Sequence, residues 1–259
     1  MLTQFLRATP RPLILASAFF FATAFFALRF PNAPGALSYV STLLIALPSL
    51  LALLRYLGPR RAALSLLALS AFGYAVEMVG VATGLPYGTF YYGDAMGQKA
   101  LGLVPYLLPI SYAPLVLGAV AASWQDGSGQ THRTFLILRS ALILVLMDGV
   151  LDPGAASLGF WVWPAGGAYY GVPLSNYAGW LVSGVLAAAL LLAVGRWRTA
   201  PPPGLLESAV LALAFWTGVA VFSALILPAV LGAALLIYLC ARRSQLRTRS
   251  KTAPPAGRV

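Results

Sequence analysis

Eight stretches of this chain are apolar for long enough to cross a lipid bilayer, and little sequence is left between them. Taking apolar runs of about 17–25 residues as spans, the sequence predicts helices near 12–29, 37–57, 62–83, 105–123, 134–151, 174–195, 205–222 and 224–241. The last two come from dividing one run, too long for a single crossing, near Phe222-Ser223. The charged fraction is 9%, against about 25% in soluble domains. The expected fold is therefore all-α: a polytopic integral membrane protein with about eight transmembrane helices in one domain, 1–241. The first run ends on Arg29 rather than on a small-residue cleavage site, so it is expected to be retained as a span.

A net charge of +11 taken alone would suggest a nucleic-acid partner, but its distribution says otherwise. With the N-terminus in the cytoplasm, 15 of the 17 basic residues fall on cytoplasmic segments or their membrane edges, leaving only Arg29 and Lys99 outside. That satisfies the positive-inside rule. It places both termini in the cytoplasm, in a multi-pass protein of the plasma (inner) membrane. The basic tail, 242–259, with Pro254, Pro255 and Gly257, is expected to be disordered and to lie along anionic headgroups. A lone Cys240 and a lone His132 argue against a disulfide, a thiolate zinc site or a His-rich di-iron site. No metal and no cofactor are expected.

Two of the runs carry an acid, followed at the same distance by a glycine and an aromatic cluster. Glu77 leads to Gly88-Thr89-Phe90-Tyr91-Tyr92, and Asp148 leads to Gly159-Phe160-Trp161-Val162-Trp163. Each cluster precedes a Val-Pro step that opens the next run, at Val104-Pro105 and Val172-Pro173. This reads as a parallel internal repeat of helical hairpins, about 62–123 and 134–195, with both aromatic loops on the outer side. Acids within spans cost about 2.5–3.5 kcal/mol by insertion scales, so they are functional candidates. Asp148 and Asp152 are four residues apart and share a helix face, and Pro153 is expected to end that helix at once. Gly73, Glu77, Gly80 and Gly84 also share a face, where small residues let a neighbouring helix or a slender ligand approach.

The connecting loops, 84–104 and 153–173, are rich in rings: Tyr87, Tyr91, Tyr92, Trp161, Trp163, Tyr169 and Tyr170 among them. Aromatic belts anchor membrane proteins, but rings clustered beside carboxyls in two matching loops point to a lined cavity. Electron-rich rings around an apolar slot suit a substrate that passes through a carbocation. Of the other acids, Glu207 is expected to serve the dipole at a helix start, Asp94 and Lys99 to form a surface pair, and Asp126 and His132 to be solvated in a short cytoplasmic loop.

Glu77-Met78-Val79-Gly80, Gly84-Leu85-Pro86-Tyr87-Gly88-Thr89-Phe90-Tyr91-Tyr92, Asp148-Gly149-Val150-Leu151-Asp152-Pro153, Gly159-Phe160-Trp161-Val162-Trp163 and the run from Gly167 to Trp180 resemble the membrane carotenoid-biosynthesis hydratase family. That family includes carotenoid 1,2-hydratases and bisanhydrobacterioruberin hydratases. The resemblance covers roughly residues 60–195 and is strongest over 148–180. It implies addition of water across the terminal C1=C2 bond of a linear carotenoid end group, giving a tertiary alcohol. Expected partners are then the carotenoid, the bilayer and other enzymes of the carotenoid pathway, with no nucleic acid.

Such a hydro-lyase needs an acid that holds its proton, which a desolvated carboxyl does, and a second acid or polar group to orient water. Glu77 or Asp148 is the expected proton donor, with Asp152 holding or deprotonating water. Asn176 is expected to hydrogen-bond that water, and Tyr91, Trp161 and Tyr170 to face the cation. A carotenoid cyclase begins with the same protonation, and a proton-coupled transporter would also carry acids in paired repeats. Both stay open as alternatives.

Overall fold

The computed structural model describes residues 10–30, 35–125 and 129–252. Helices form where the apolar runs place them: α1 Arg11–Arg29, α2 Gly35–Leu57, α3 Pro59–Thr83, α4 Leu108–Ser123, α5 Gln130–Ser157, α6 Leu174–Gly195, α7 Glu207–Phe222 and α8 Ile226–Thr252. The loops hold four two-residue strands: β1 Tyr91–Tyr92, β2 Lys99–Ala100, β3 Val104–Pro105 and β4 Trp161–Val162. β1 pairs with β4 and β2 with β3, both antiparallel. Among the described residues, six helical runs are long and apolar enough to cross a membrane, so the protein is an all-α, multi-pass membrane protein. One of those runs, Leu37–Thr83, holds both α2 and α3, which meet at Gly58. The φ of 75° at Gly58 lies in the left-handed region that glycine enters freely. α4, at 16 residues, is shorter than a usual span. An eight-crossing count therefore needs both the division at Gly58 and a crossing by α4.

Contacts show which helix ends share a side. Tyr39, near the start of α2, packs against Gly97 in the first aromatic loop, whereas Leu57 at its end packs against Gly195. Ser157 meets Ser223, and the Leu227 amide donates to Tyr170 Oη, so the α7–α8 turn also lies on the aromatic-loop side. On the opposite side Tyr56 donates to the Thr199 carbonyl, and Arg242 donates to the Ala122 and Trp124 carbonyls at the end of α4. α4 is apolar all round and buried from Tyr112 to Ser123, as a helix at the centre of a bundle must be. α7 is the most deeply buried of the candidate spans and packs against α1, α2, α5 and α8.

Two expectations change. α5 does not stop at Pro153 but continues to Ser157. Proline removes one intrahelical bond, a loss that membrane helices tolerate when neighbours enclose them. Here residues 152–155 are buried, and Gly154 lies so close to Trp216 that a Cβ would sit 3.0 Å from its ring. Asp148 and Asp152 thus lie inside the helix rather than at its end. The second change is at the tail: α8 runs on to Thr252. Arg242 caps carbonyls at the end of α4 and the half-buried Glu207 holds the buried Arg243, so these basic residues are packed. Glu207 accordingly has an ion-pair partner as well as its helix-start position. Arg7, Asp126 and tail residues 253–259, on which other expectations fell, lie outside the described residues.

Candidate active site

Three helices deliver the acids. Glu77 lies on α3, six residues before its end, or about 9 Å at the helical rise. Asp148 and Asp152 lie one turn apart on α5, and Asn176 sits in the first turn of α6, just after the helix opens at Pro173. All four side chains are buried. Asn176 Nδ2 donates to Asp148 Oδ2 at 2.9 Å and to Asp152 Oδ2 at 2.5 Å, so one amide bridges two carboxyl groups. Trp161 Nε1 donates to Asp152 Oδ1 at 3.0 Å, so both oxygens of Asp152 accept an N–H. Tyr92 Oη donates to Glu77 Oε2 at 2.8 Å. Burial pushes the Tyr92 phenol well above its usual range, so Tyr92 keeps the proton it donates. The site thus joins the amphipathic reach of one amide, one indole and one phenol to three carboxyls.

The loops reach the acids because they pair with each other. In the β1–β4 ladder Tyr91 faces Val162 and Tyr92 faces Trp161. The Gly93 amide extends that ladder to the Phe160 carbonyl at 2.8 Å. A Cβ on Gly93 would lie 2.1 Å from the Gly159 carbonyl oxygen, so only glycine permits this approach. Alternation along β1 then sends Tyr92 inward, 7% exposed, and Tyr91 outward, 51% exposed. Lys99 braces the strand from the other side: its Nζ donates to the Tyr92 carbonyl at 2.6 Å and lies 3.6 Å from Asp94. The expected Asp94–Lys99 pair therefore also supports the Glu77 partner. The small-residue face of α3 receives rings rather than a helix. Tyr87 fills a slot between Gly80 and Gly179, and Tyr112 lies on Gly73.

A cavity of about 1110 Å³ opens in front of the acids. Glu77, Asp152 and Asn176 stand on its wall together with Tyr87, Tyr92, Trp161 and Trp163. Asp148 is absent from the wall and lies behind Asp152, its Oδ1 buried and without a hydrogen-bond partner. Tyr91, Tyr169 and Tyr170 do not line the cavity. Tyr170 instead bonds the start of α8 and packs on Tyr169, which packs on Tyr177. Rings of the wall stack edge to face or tilted, with Tyr92–Trp161 centroids 6.0 Å apart and Phe90–Trp163 centroids 5.8 Å apart.

Several wall residues had not been singled out. Phe90 and Phe160 were visible as loop rings, and Trp180 as part of a motif. Phe215, Trp216 and Tyr112 sit within apolar runs, where a ring that faces a cavity looks like one that faces lipid. Tyr177, the neighbour of Asn176, lies within electrostatic reach of Asp148 and Asp152, and its hydroxyl is buried without a partner. Among the described residues no group of three or more His, Cys, Asp or Glu has an arrangement suited to a metal ion.

Comparison with known proteins gives this geometry a family. Residues 35–239 match the family described as carotenoid biosynthesis protein. A curated relative, the bisanhydrobacterioruberin hydratase of Haloarcula japonica, is 41% identical over 188 residues, which cover 68% of this chain and 64% of the relative. No solved structure matches the chain. The family match spans α2 through the first half of α8 and takes in Glu77, Asp148, Asp152, Asn176 and both aromatic loops, and on that ground the chain belongs to the carotenoid biosynthesis protein family.

Proposed function

We propose that this protein hydrates the terminal C1=C2 double bond of a linear carotenoid, without a cofactor, to give a tertiary alcohol. The observation that carries the proposal is the placement of two carboxyls, Glu77 and Asp152, on the wall of one apolar, ring-lined cavity. The hydratase named among its relatives supports the same reading. Glu77 is the proton donor: Tyr92 holds Oε2 and leaves the other oxygen to carry the proton. The π electrons of the double bond take that proton at C2, leaving positive charge on tertiary C1. Trp161, Trp163 and Phe90 offer ring faces to the cation, each worth about 0.5–2 kcal/mol. Water held by Asp152 and Asn176 forms the C1–O bond and gives its proton to Asp152. The sum is one alkene plus one water, and transfer of the proton back to Glu77 restores the starting state. Asp148 keeps Asn176, and through it Asp152, in register.

Residues 62–123 and 134–195 are, on this proposal, two copies of one hairpin that contribute Glu77 with β1 and Asp148 with β4 to a single site. The proposed topology puts the aromatic loops outside and both termini in the cytoplasm of a plasma-membrane protein. The test of the reaction is expression in two bacteria, one that accumulates lycopene and one that accumulates γ-carotene. Pigment that gains the mass of water supports hydration. Unchanged mass with a shorter chromophore supports cyclisation instead, and unchanged pigment in both hosts refutes both.

A further inference from the structure

α1 and α2 follow one another in sequence, yet the two helices scarcely touch; each packs on α7 instead. The space between them is part of the cavity that reaches Glu77 and Asp152. Phe19 and Phe26 of α1 and Val40 and Leu44 of α2 line that space and are also 61%, 58%, 51% and 51% exposed. A side chain that both lines a cavity and faces outward marks its mouth. These four lie within helices that are apolar enough to span a membrane, so the mouth faces lipid rather than water. Three of the hydroxyls along it are taken up by their own helices. Thr23 donates to the Phe20 carbonyl, Ser41 to the Ser38 carbonyl and Ser111 to the Leu108 carbonyl, each within its own helix. Phe215 and Trp216 of α7 extend the apolar lining beneath.

We propose that the gap between α1 and α2 is a lateral port through which one end of a linear polyene slides from the bilayer to the acids. The port rests on the hydratase reading for the identity of its occupant. Its lining supports a slender hydrocarbon independently, because among the described residues of α1 and α2 rings and aliphatic side chains dominate it, with Arg29 and a few hydroxyls as the exceptions, while the acids stand at the inner end. The cavity, at about 1110 Å³, lies just above the range of pockets for small ligands, about 300–1,000 Å³. A sideways mouth lets a substrate longer than the cavity leave its remainder in lipid. Binding then costs little desolvation, since the chain passes from one apolar medium to another.

The test places a photo-crosslinking benzophenone amino acid at Ala27, on the cavity wall at the mouth, and for comparison at Leu186, which is 51% exposed on α6 and off the cavity. Both proteins are made in lycopene-accumulating cells and irradiated in the membrane. Polyene adducts at position 27 at least tenfold above those at 186 are the expected result. Equal adducts at the two positions, or none at 27, overturn the port whether or not hydrated pigment forms. Preferential adducts at 27 without hydrated pigment leave the port standing and remove the hydratase reading. An independent variant, Ala27→Trp, narrows the mouth. It should lower turnover of lycopene at least tenfold and leave a short, detergent-soluble analogue of the same end group within twofold; equal effects on the two substrates overturn the port.

Discussion

Asn176 offers the sharpest perturbation of the proposed site, because its one amide nitrogen serves two carboxyl groups. Asn176→Leu keeps the size of the side chain and removes both donors, which lie 2.9 Å from Asp148 and 2.5 Å from Asp152. Two neighbouring buried carboxyls do not both ionise, so one lost bond is to a charged group and the other to a neutral one. A hydrogen bond to a charged group is worth about 1.5–3 kcal/mol and a neutral one about 1, giving about 2.5–4 kcal/mol for the pair. Felt wholly in the transition state, that loss would slow hydration by about 60- to 700-fold, since about 1.4 kcal/mol is tenfold. Some of it will appear as lost stability instead, so the variant should fall between about tenfold and that limit. The assay is hydrated pigment formed per unit of membrane-inserted protein, with thermal unfolding measured on the same preparation. Activity within threefold of the parent, at unchanged stability, would refute the role of Asn176 in holding Asp152.

Glu77→Gln should abolish detectable product at normal membrane insertion, and Tyr92→Phe, which only frees Glu77 from one donor, should cost about tenfold, about 1.4 kcal/mol; near-normal product in Glu77→Gln, whose amide oxygen still accepts from Tyr92, would show that Glu77 acts only as that acceptor. Trp161→Leu should be slower than Trp161→Phe by about 0.5–2 kcal/mol of barrier, since both lose the bond to Asp152 and only leucine loses the ring, whereas Tyr91→Leu, on the outward side of β1, should be near neutral in the same product assay. Gly80→Ala would put a Cβ 2.7 Å from a Tyr87 ring already confined by Gly179, so thermal unfolding should show a loss of about 1–3 kcal/mol; an unchanged transition would mean that Tyr87 is free to move. Cysteine labelling in a Cys240→Ala background should place the C-terminus inside and the 84–104 and 153–173 loops outside, and an external C-terminus would overturn the proposed topology.

What was legible in the sequence was what one segment decides alone. Hydropathy set the bounds of six helices to within a few residues, including the break after Phe222, because lipid demands long apolar helices whatever their neighbours, and fell short only at the ends of α5 and α8. Glu77, Asp148, Asp152 and Asn176 stood out because polar side chains are rare in such runs. What failed depended on contacts between distant segments. Pro153 continues a helix because Trp216 and its neighbours enclose it, and the arginine-rich start of the tail is ordered by carbonyls near 122 and by Glu207. Which of Tyr91 and Tyr92 turns inward depends on the register of β1 with β4, a pairing some seventy residues apart. Phe19, Phe26, Phe215 and Trp216 gave no signal, since within an apolar helix a ring on a cavity and a ring on lipid have the same neighbours in sequence.

The central claim is that this chain adds water to a linear carotenoid using its own side chains. The direct measurement incubates purified protein and lycopene in detergent with water enriched in heavy oxygen, and nothing else added. The account predicts product carrying one heavy oxygen at the tertiary end carbon, formed by the parent and lost in Glu77→Gln. Pigment that changes chromophore without taking up labelled oxygen, or product that forms equally well without Glu77, would contradict it.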